Sequence, residues 1–215
     1  MRKRIAIEPK STTHRYAAAA RTLAQRDPVL RRVISQVGPC TLRPEPDVLT
    51  VLIRTIISQQ LATKAALTIA DRLFAHTSVP CSVEAIERLD DALLRACGLS
   101  EAKRRALRDL CRHIRHGTIP LEPPEALTDD QWREALLQVR GIGPWSVDMF
   151  LIFCLGRLDV FPVGDLGLRL GVQTAYDLPE VPSSAALESF GERWRPYRTV
   201  ATWYLWRSRG PVPQS

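Results

Sequence analysis

The chain contains no run of eighteen apolar residues, so no segment reads as a membrane-spanning helix. Met1-Arg2-Lys3-Arg4 is basic, but the apolar core of a signal peptide does not follow it. The five cysteines, Cys40, Cys81, Cys97, Cys111 and Cys154, are scattered and odd in number. With no C-x-x-C pair among them, a disulfide framework and a zinc ribbon are both unexpected, and reduced buried thiols are the default. Internal repeats, low-complexity tracts and strand-like alternation are also missing. These absences imply an intracellular protein built from helices.

What is present is long enough for a substantial core: 215 residues, one large domain or two small lobes. Thirty basic side chains against 23 acidic ones give a net charge of +7, which favours a polyanionic partner without proving one. Helix-start signals recur along the chain. Ser11 or Thr12 opens an alanine-rich segment, and Asp27-Pro28 opens another that ends at Gly38. Residues 39–46 hold three prolines and read as a linker. Asp47 caps the apolar run Val48 to Ile57, and helix resumes from Ser58 to about His76 after a turn. Short helices follow from Ser82 and from Asp90. Ser100 opens a basic amphipathic helix closed by Gly117, whose Lys103 or Arg104 either contacts phosphates or belongs to a solvated face. Residues 118–127 carry Pro120, Pro123 and Pro124 and cannot be helical throughout. Later helices are expected near Ser184 to Phe190 and from Trp194 to Trp206. The fold class is all-α, with about ten short helices.

The chain is organised around Leu136 to Gly171, LLQVRGIGPWSVDMFLIFCLGRLDVFPVGDLGLRLG. Thr128 and Gln131 form a T-x-x-Q capping box before a helix whose apolar face is Trp132, Leu136, Leu137 and Val139. Gly141 and Gly143, flanking Ile142, break that helix and permit positive φ or close backbone approach. Pro144 suits the first position of the next helix, which runs from Trp145 to about Leu155 and is almost wholly apolar. The N-terminus of that helix can hold an anion such as a DNA phosphate, or the motif can be an ordinary helix–helix turn. The loop Phe161-Pro162-Val163-Gly164-Asp165 then delivers one carboxylate, which can cap the helix beginning near Leu166 or act chemically. Asp148, Asp159 and Asp177 are the competing carboxylates. Asp148 lies within the apolar helix and suits a structural hydrogen bond, while Asp159 suits a local salt link.

V-R-G-I-G-P-W-S-V, followed twenty residues after Trp145 by Asp165, resembles the helix-hairpin-helix plus Gly/Pro-Asp signature of base-excision DNA glycosylases. Within that superfamily the chain is most similar to the 3-methyladenine DNA glycosylase II, or alkylbase, branch. Thr55 to Ala62, TIISQQLA, resembles that branch's I-(S/G)-Q-Q segment. Arg193 to Arg198, RWRPYR, with Trp206, resembles its R-W-x-P-(W/Y)-R…W ending. The match runs in order over most of the chain.

The resemblance implies two helical lobes with the active site in the cleft between them, residues 47–155 forming one and 1–46 with 156–215 the other. It implies a short form without the N-terminal β-rich domain of larger members. It assigns Asp165 the catalytic role: a carboxylate beside the sugar stabilises the oxocarbenium-like state as the base departs and orients or deprotonates water. Because the base must leave the stack, the resemblance gives Gln59, Gln60 and Leu61 the gap left by the flipped nucleotide. The residues alone leave open that Gln59 and Gln60 merely satisfy backbone groups. Arg140, Gly141, Ile142, Gly143 and Ser146 would contact DNA at the hairpin. Trp206, Trp145, Trp203 and Met149 would form the base pocket, an aromatic face that suits a cationic alkylated purine at about 0.5–2 kcal/mol. Met149 stands where some relatives carry an aromatic.

Bifunctional relatives place a lysine two residues after the second hairpin glycine, where this chain has Trp145. An indole forms no Schiff base, so a monofunctional enzyme that uses water and leaves an abasic site is expected. Relatives resembling endonuclease III carry an iron–sulfur cluster on four C-terminal cysteines; none follows Cys154 here, so no cluster is expected. No cofactor is required, although the main-chain carbonyls of Leu137, Val139 and Ile142 match those that hold a sodium or potassium ion in family members. The expected partner is duplex DNA bearing alkylated bases, bound by a monomer in the cytoplasm, or on the nucleoid if bacterial. Two alternatives remain: a glycosylase for mismatched or oxidised bases, and a non-enzymatic helix-hairpin-helix module that grips DNA.

Overall fold

Short polar side chains placed just before apolar runs set most of the architecture. In the computed structural model, which describes residues 9–77, 81–121 and 127–210 (side chains from residue 14), regular structure is helical throughout. It comprises twelve α-helices and one 3₁₀ turn among the described residues, two more helices than the ten or so expected, with the helices Val83–Arg88 and Asp91–Ala96 only six residues long. Eight of the twelve start on a side chain that accepts an amide of the first turn: Asp27, Asp47, Ser82, Asp90, Ser100, Thr128, Asp165 and Ser183. Each such cap is worth about 1 kcal/mol.

The chain divides into two compact units. One runs from Glu45 to Leu155; the other combines the residues before it with those from Gly156 onward. The continuous unit holds α3 (Val48–Ser58), α4 (Thr63–Phe74), α5 (Val83–Arg88), α6 (Asp91–Ala96), α7 (Glu101–Arg115), α8 (Asp129–Leu137) and α9 (Pro144–Phe153). Its centre is α3, whose Val48, Leu49, Val51, Leu52, Ile53, Ile56 and Ile57 are all buried, and which packs on α4, α7 and α9. Trp132 of α8 meets Phe150 of α9 with ring centroids 4.7 Å apart, locking the two arms of the hairpin.

The discontinuous unit holds α1 (Pro9–Arg26), α2 (Pro28–Val37), α10 (Leu166–Ala175), α11 (Ser184–Gly191), the 3₁₀ turn Glu192–Trp194 and α12 (Arg198–Arg207). α12 packs on α1, α2 and α10. Gly171 makes the α10 contact possible: a Cβ there would stand 2.8 Å from the Leu205 carbonyl oxygen. Asp27, only 6% exposed, knots the unit together. Its Oδ1 accepts from the Val29 and Leu30 amides, and its Oδ2 from Tyr176 Oη at 2.6 Å and Trp194 Nε1 at 3.1 Å.

Several boundaries differ from the sequence reading. α1 starts at Pro9, where a missing N–H costs nothing at a first helical position, rather than at Ser11 or Thr12. Ser58 closes α3 and α4 starts only at Thr63, because the chain turns through Gln59–Ala62 with Gln60 at φ 58°. Trp194 is not part of the last helix: Pro196 forces Arg195 into extended backbone, and α12 starts after it at Arg198. Leu137, placed on the apolar face of α8, is 44% exposed, one helical step round from the buried Leu136. Of the proline-rich stretch, 118–121 is not helical, and 122–126 lies outside the described residues. No described helix is long and apolar enough to cross a membrane.

Candidate functional site

In the continuous unit the hairpin is built from α8, its turn and α9. Thr128 and Gln131 form the reciprocal capping box, with bonds of 2.9 and 3.3 Å. The Ile142 amide donates to the Val139 carbonyl at 3.0 Å, and the buried Ile142 side chain pins the turn. Only one of the two glycines uses its freedom as anticipated. Gly141 is left-handed, at φ 78°, and a Cβ on it would stand 3.3 Å from the Ala106 Cβ of α7. Gly143 is extended, at φ −113°, and a Cβ on it would meet nothing within 4 Å. It is the N-cap of α9, whose first-turn amides receive no side-chain cap, as an anion-accepting helix end requires.

The hairpin is braced from two sides. Gln59 Nε2 donates to the Gly141 carbonyl at 2.7 Å and to Ser146 Oγ at 2.9 Å. Both bonds that Gln59 Nε2 donates thus go to the protein's own hairpin. Ser146, expected to touch DNA, is 3% exposed and serves as Gln59's acceptor. From α7, Asp109 Oδ2 accepts the Arg140 amide at 2.7 Å, leaving the Arg140 residue exposed at the tip. Gln60 and Leu61 stand exposed at the α3–α4 turn, Leu61 at 39%. The two basic residues singled out on α7 point elsewhere than into solvent. Lys103 Nζ donates to the carbonyls of Ile57 and Gln59 at 2.6 and 3.0 Å, closing the end of α3, and burial holds its pKa below the ordinary lysine value. Arg104 pairs with Asp91 at 3.0 Å and donates to the Leu99 carbonyl.

In the discontinuous unit the carboxylate is Asp165. It caps α10, its Oδ1 accepting the Leu168 amide at 2.6 Å, and the same oxygen accepts Trp206 Nε1 at 2.8 Å. The loop that delivers it is anchored by Phe161, whose ring packs edge-on against Trp194 at 5.6 Å and lies where a side chain on Gly191 would be. Two donors converging on one oxygen fix the roll of the carboxylate plane, and the half-exposed indole lies beside it. Such a pair can stabilise positive charge developing on a bound molecule.

Two of the three competing carboxylates are engaged structurally, and the third, Asp177, is exposed in a left-handed turn at φ 53° just beyond α10. Asp159 holds Arg198 at 2.9 Å and Arg195 at 2.8 Å, and Asp148 pairs with Arg133 at 3.3 Å. Among the aromatic residues, Trp145 is half-exposed like Trp206. Trp203 is 3% exposed and T-stacked on Tyr204, and Met149 is 5% exposed, so neither presents the open face that stacking on a base requires. Among the described residues no group of three or more His, Cys, Asp or Glu side chains could hold a metal ion.

Residues 53–196 match the model of the HhH-GPD superfamily of base excision DNA repair proteins, well over half of the chain. The chain belongs to that superfamily. Among HhH-GPD proteins it is 38% identical over 160 residues to the DNA-3-methyladenine glycosylase 1 of Schizosaccharomyces pombe, covering 73% of this chain and 70% of that one. It is 30% identical over 199 residues to that organism's alkylbase DNA glycosidase-like protein, covering 89% and 93%. A solved structure of an S. pombe 3-methyladenine DNA glycosylase in complex with abasic DNA superposes with a TM-score of 0.83 at 33% identity, covering 92% of this chain and 99% of that one.

The distant partners of two site residues, Asp165 and Gln59, have no direct signal in the sequence, although the residues alone leave open a backbone-satisfying role for Gln59. The Asp165–Trp206 bond joins residues 41 apart, and only helix phase could have suggested it. The Gln59 brace spans more than 80 residues and has no local signal.

Proposed function

We propose that this HhH-GPD protein flips alkylated purines out of duplex DNA and hydrolyses their N-glycosidic bond, acting as a monofunctional 3-methyladenine DNA glycosylase. The observation that carries the reading is the 2.8 Å bond from the Trp206 indole to Asp165 Oδ1, which sets a half-exposed aromatic ring against the only carboxylate of the delivering loop that caps α10. As the base departs, the sugar gains positive charge; the fixed Asp165 carboxylate stabilises it and orients the attacking water. The substrate is already cationic on the purine, so departure needs little acid catalysis, and the Trp206 ring favours the charged base by about 0.5–2 kcal/mol.

The hairpin grips the backbone. A phosphate docks at the amides of Gly143 and the first turn of α9, with Arg140 adding charge, a contact that carries no sequence information. Leu61 and Gln60, exposed at their turn, enter the space the nucleotide vacates, while Gln59 supports the hairpin behind them. Trp145 supplies no amine for a Schiff base, so water is the nucleophile and the strand stays intact. A sodium or potassium ion suits the hairpin turn, where the main-chain carbonyls of Leu137, Val139 and Ile142 are hard oxygen donors; the Val139 carbonyl accepts from the Ile142 amide and keeps a second lone pair. It would stiffen the turn and add positive charge near a phosphate. The protein works as a monomer on intracellular DNA.

The test is gel analysis of duplexes containing 3-methyladenine, 7-methylguanine, hypoxanthine or 1-methyladenine. The expected result is base release with strand scission only after alkali. Asp165→Asn should abolish release and keep duplex binding; retained turnover would move the catalytic role elsewhere. Scission without alkali would refute the hydrolytic mechanism.

A further inference from the structure

Gly167 is the second residue of α10, two past Asp165, and its φ is outside the left-handed region. Nothing in its backbone therefore calls for glycine, and alanine would favour the helix by roughly 0.5–1 kcal/mol. The constraint is steric and local. A Cβ on Gly167 would stand 3.1 Å from Asp165 Oδ1, 3.4 Å from Trp206 Cδ1 and 3.5 Å from Trp206 Nε1. Those three atoms are the acceptor of the Asp165–Trp206 hydrogen bond, its donor, and the donor's ring neighbour. The three atoms nearest to that Cβ thus all belong to the two ends of that bond.

We infer that Gly167 is a positioning residue for base release: its missing side chain leaves the room in which the Trp206 indole locks the Asp165 carboxylate. Gly171, one turn on, serves the same geometry at larger scale, since its bare Cα lets α12 approach α10 closely enough for Trp206 to reach across. An added methyl at 167 must push the carboxylate oxygen or the indole by a few tenths of an ångström. A 1 Å error in a reacting group can cost ~100-fold in rate, so a shift of that smaller size is expected to cost about 5- to 10-fold. The helix itself gains from the same substitution, so stability and turnover move in opposite directions. A packing defect would lower both.

The inference rests on the proposed role of Asp165, and the experiment separates the two. Gly167→Ala, Trp206→Phe and the double variant are compared with the parent and with Asp165→Asn. The readouts are single-turnover release of 7-methylguanine at saturating enzyme, duplex affinity by fluorescence anisotropy, and melting temperature. Gly167→Ala should release base about 5- to 10-fold more slowly, with unchanged affinity and an equal or higher melting temperature. Trp206→Phe keeps an aromatic face and removes the donor, and the double variant should be no slower than the slower single variant, because both changes act through one hydrogen bond. An unchanged rate in Gly167→Ala, a lowered melting temperature, or independent losses that multiply in the double variant would overturn the inference. Full turnover by Asp165→Asn would instead overturn the reading on which it rests.

Discussion

Asp27→Asn removes one charge and adds two hydrogens at the place where α2, the end of α10 and the 3₁₀ turn meet. All four recorded partners of Asp27 are donors: two amides on Oδ1, and Tyr176 Oη and Trp194 Nε1 on Oδ2. An asparagine offers one accepting oxygen. If it faces the amides, its NH2 meets the Trp194 N–H, which can only donate; the Tyr176 hydroxyl can turn and accept. If it is flipped, both amides lose their acceptor. Either way at least one buried donor is stranded, at about 1–3 kcal/mol, and the surviving bonds lose the charge that makes each worth roughly 1 kcal/mol more than a neutral one. The expected loss is about 3–5 kcal/mol, or ~10 °C in melting temperature for a chain of this size. Tyr176→Phe, which deletes a single donor, should lose about 1–2 kcal/mol.

The same carboxylate makes stability depend on pH. Burial alone would raise its pKa, but the bonds from Tyr176, Trp194, Leu30 and Val29 outweigh that and hold it below the ordinary aspartate value. A folded-state pKa below the unfolded one means that the unfolded chain binds the proton first as pH falls. The contribution of Asp27 is therefore complete above the unfolded value of about 4 and disappears as pH drops through the lower folded value. Chemical unfolding followed by circular dichroism between pH 2 and pH 7 measures both effects, and the acid decline should be shallower in Asp27→Asn than in the parent. A loss under about 1 kcal/mol at pH 7, or an unchanged acid limb, would show that the carboxylate is not the tie described here.

Gln59→Ala should weaken duplex binding about 3- to 10-fold while moving the melting temperature little, because it frees the Gly141 carbonyl and Ser146 Oγ and loosens the hairpin by roughly 1 kcal/mol; anisotropy titrations over a range of salt check this, and unchanged affinity would refute the brace. Gly191→Ala should destabilise the protein by about 1–3 kcal/mol through overlap with the Phe161 ring. Combining it with Phe161→Leu should recover part of the melting temperature, whereas a double variant less stable than either single one would show that the overlap is not the cause.

Helix starts were legible in the sequence because a cap acts within three residues of itself. Asp27, Asp47, Ser82, Asp90, Ser100 and Thr128 each announce the helix that follows, and an all-α fold is the sum of such local decisions. The last helix shows where local reading fails. Trp203 and Trp206 are three positions apart, only about 60° apart around a helix axis, so the pattern alone gives them one face. Yet α1, α2 and α10 cover one sector of α12, and Trp203 falls inside it at 3% exposure while Trp206 reaches out to Asp165. That sector's edge is set by elements more than a hundred residues away in the chain and by how closely Gly171 lets α10 approach.

Gln59 and Lys103 escaped for a related reason. Both carry groups that would suit DNA, and both are spent on carbonyls at the ends of α3 and the hairpin, where a helix terminus leaves acceptors unfilled. Sequence pattern locates the donors; it does not locate the carbonyls that need them. A polar side chain near the hairpin is therefore as apt to hold the protein's own backbone as to hold a phosphate, and the two roles part only when the acceptor is seen. At the α3–α4 turn it is Gln60 and Leu61 that stand exposed, while the Gln59 Nε2 beside them holds the hairpin.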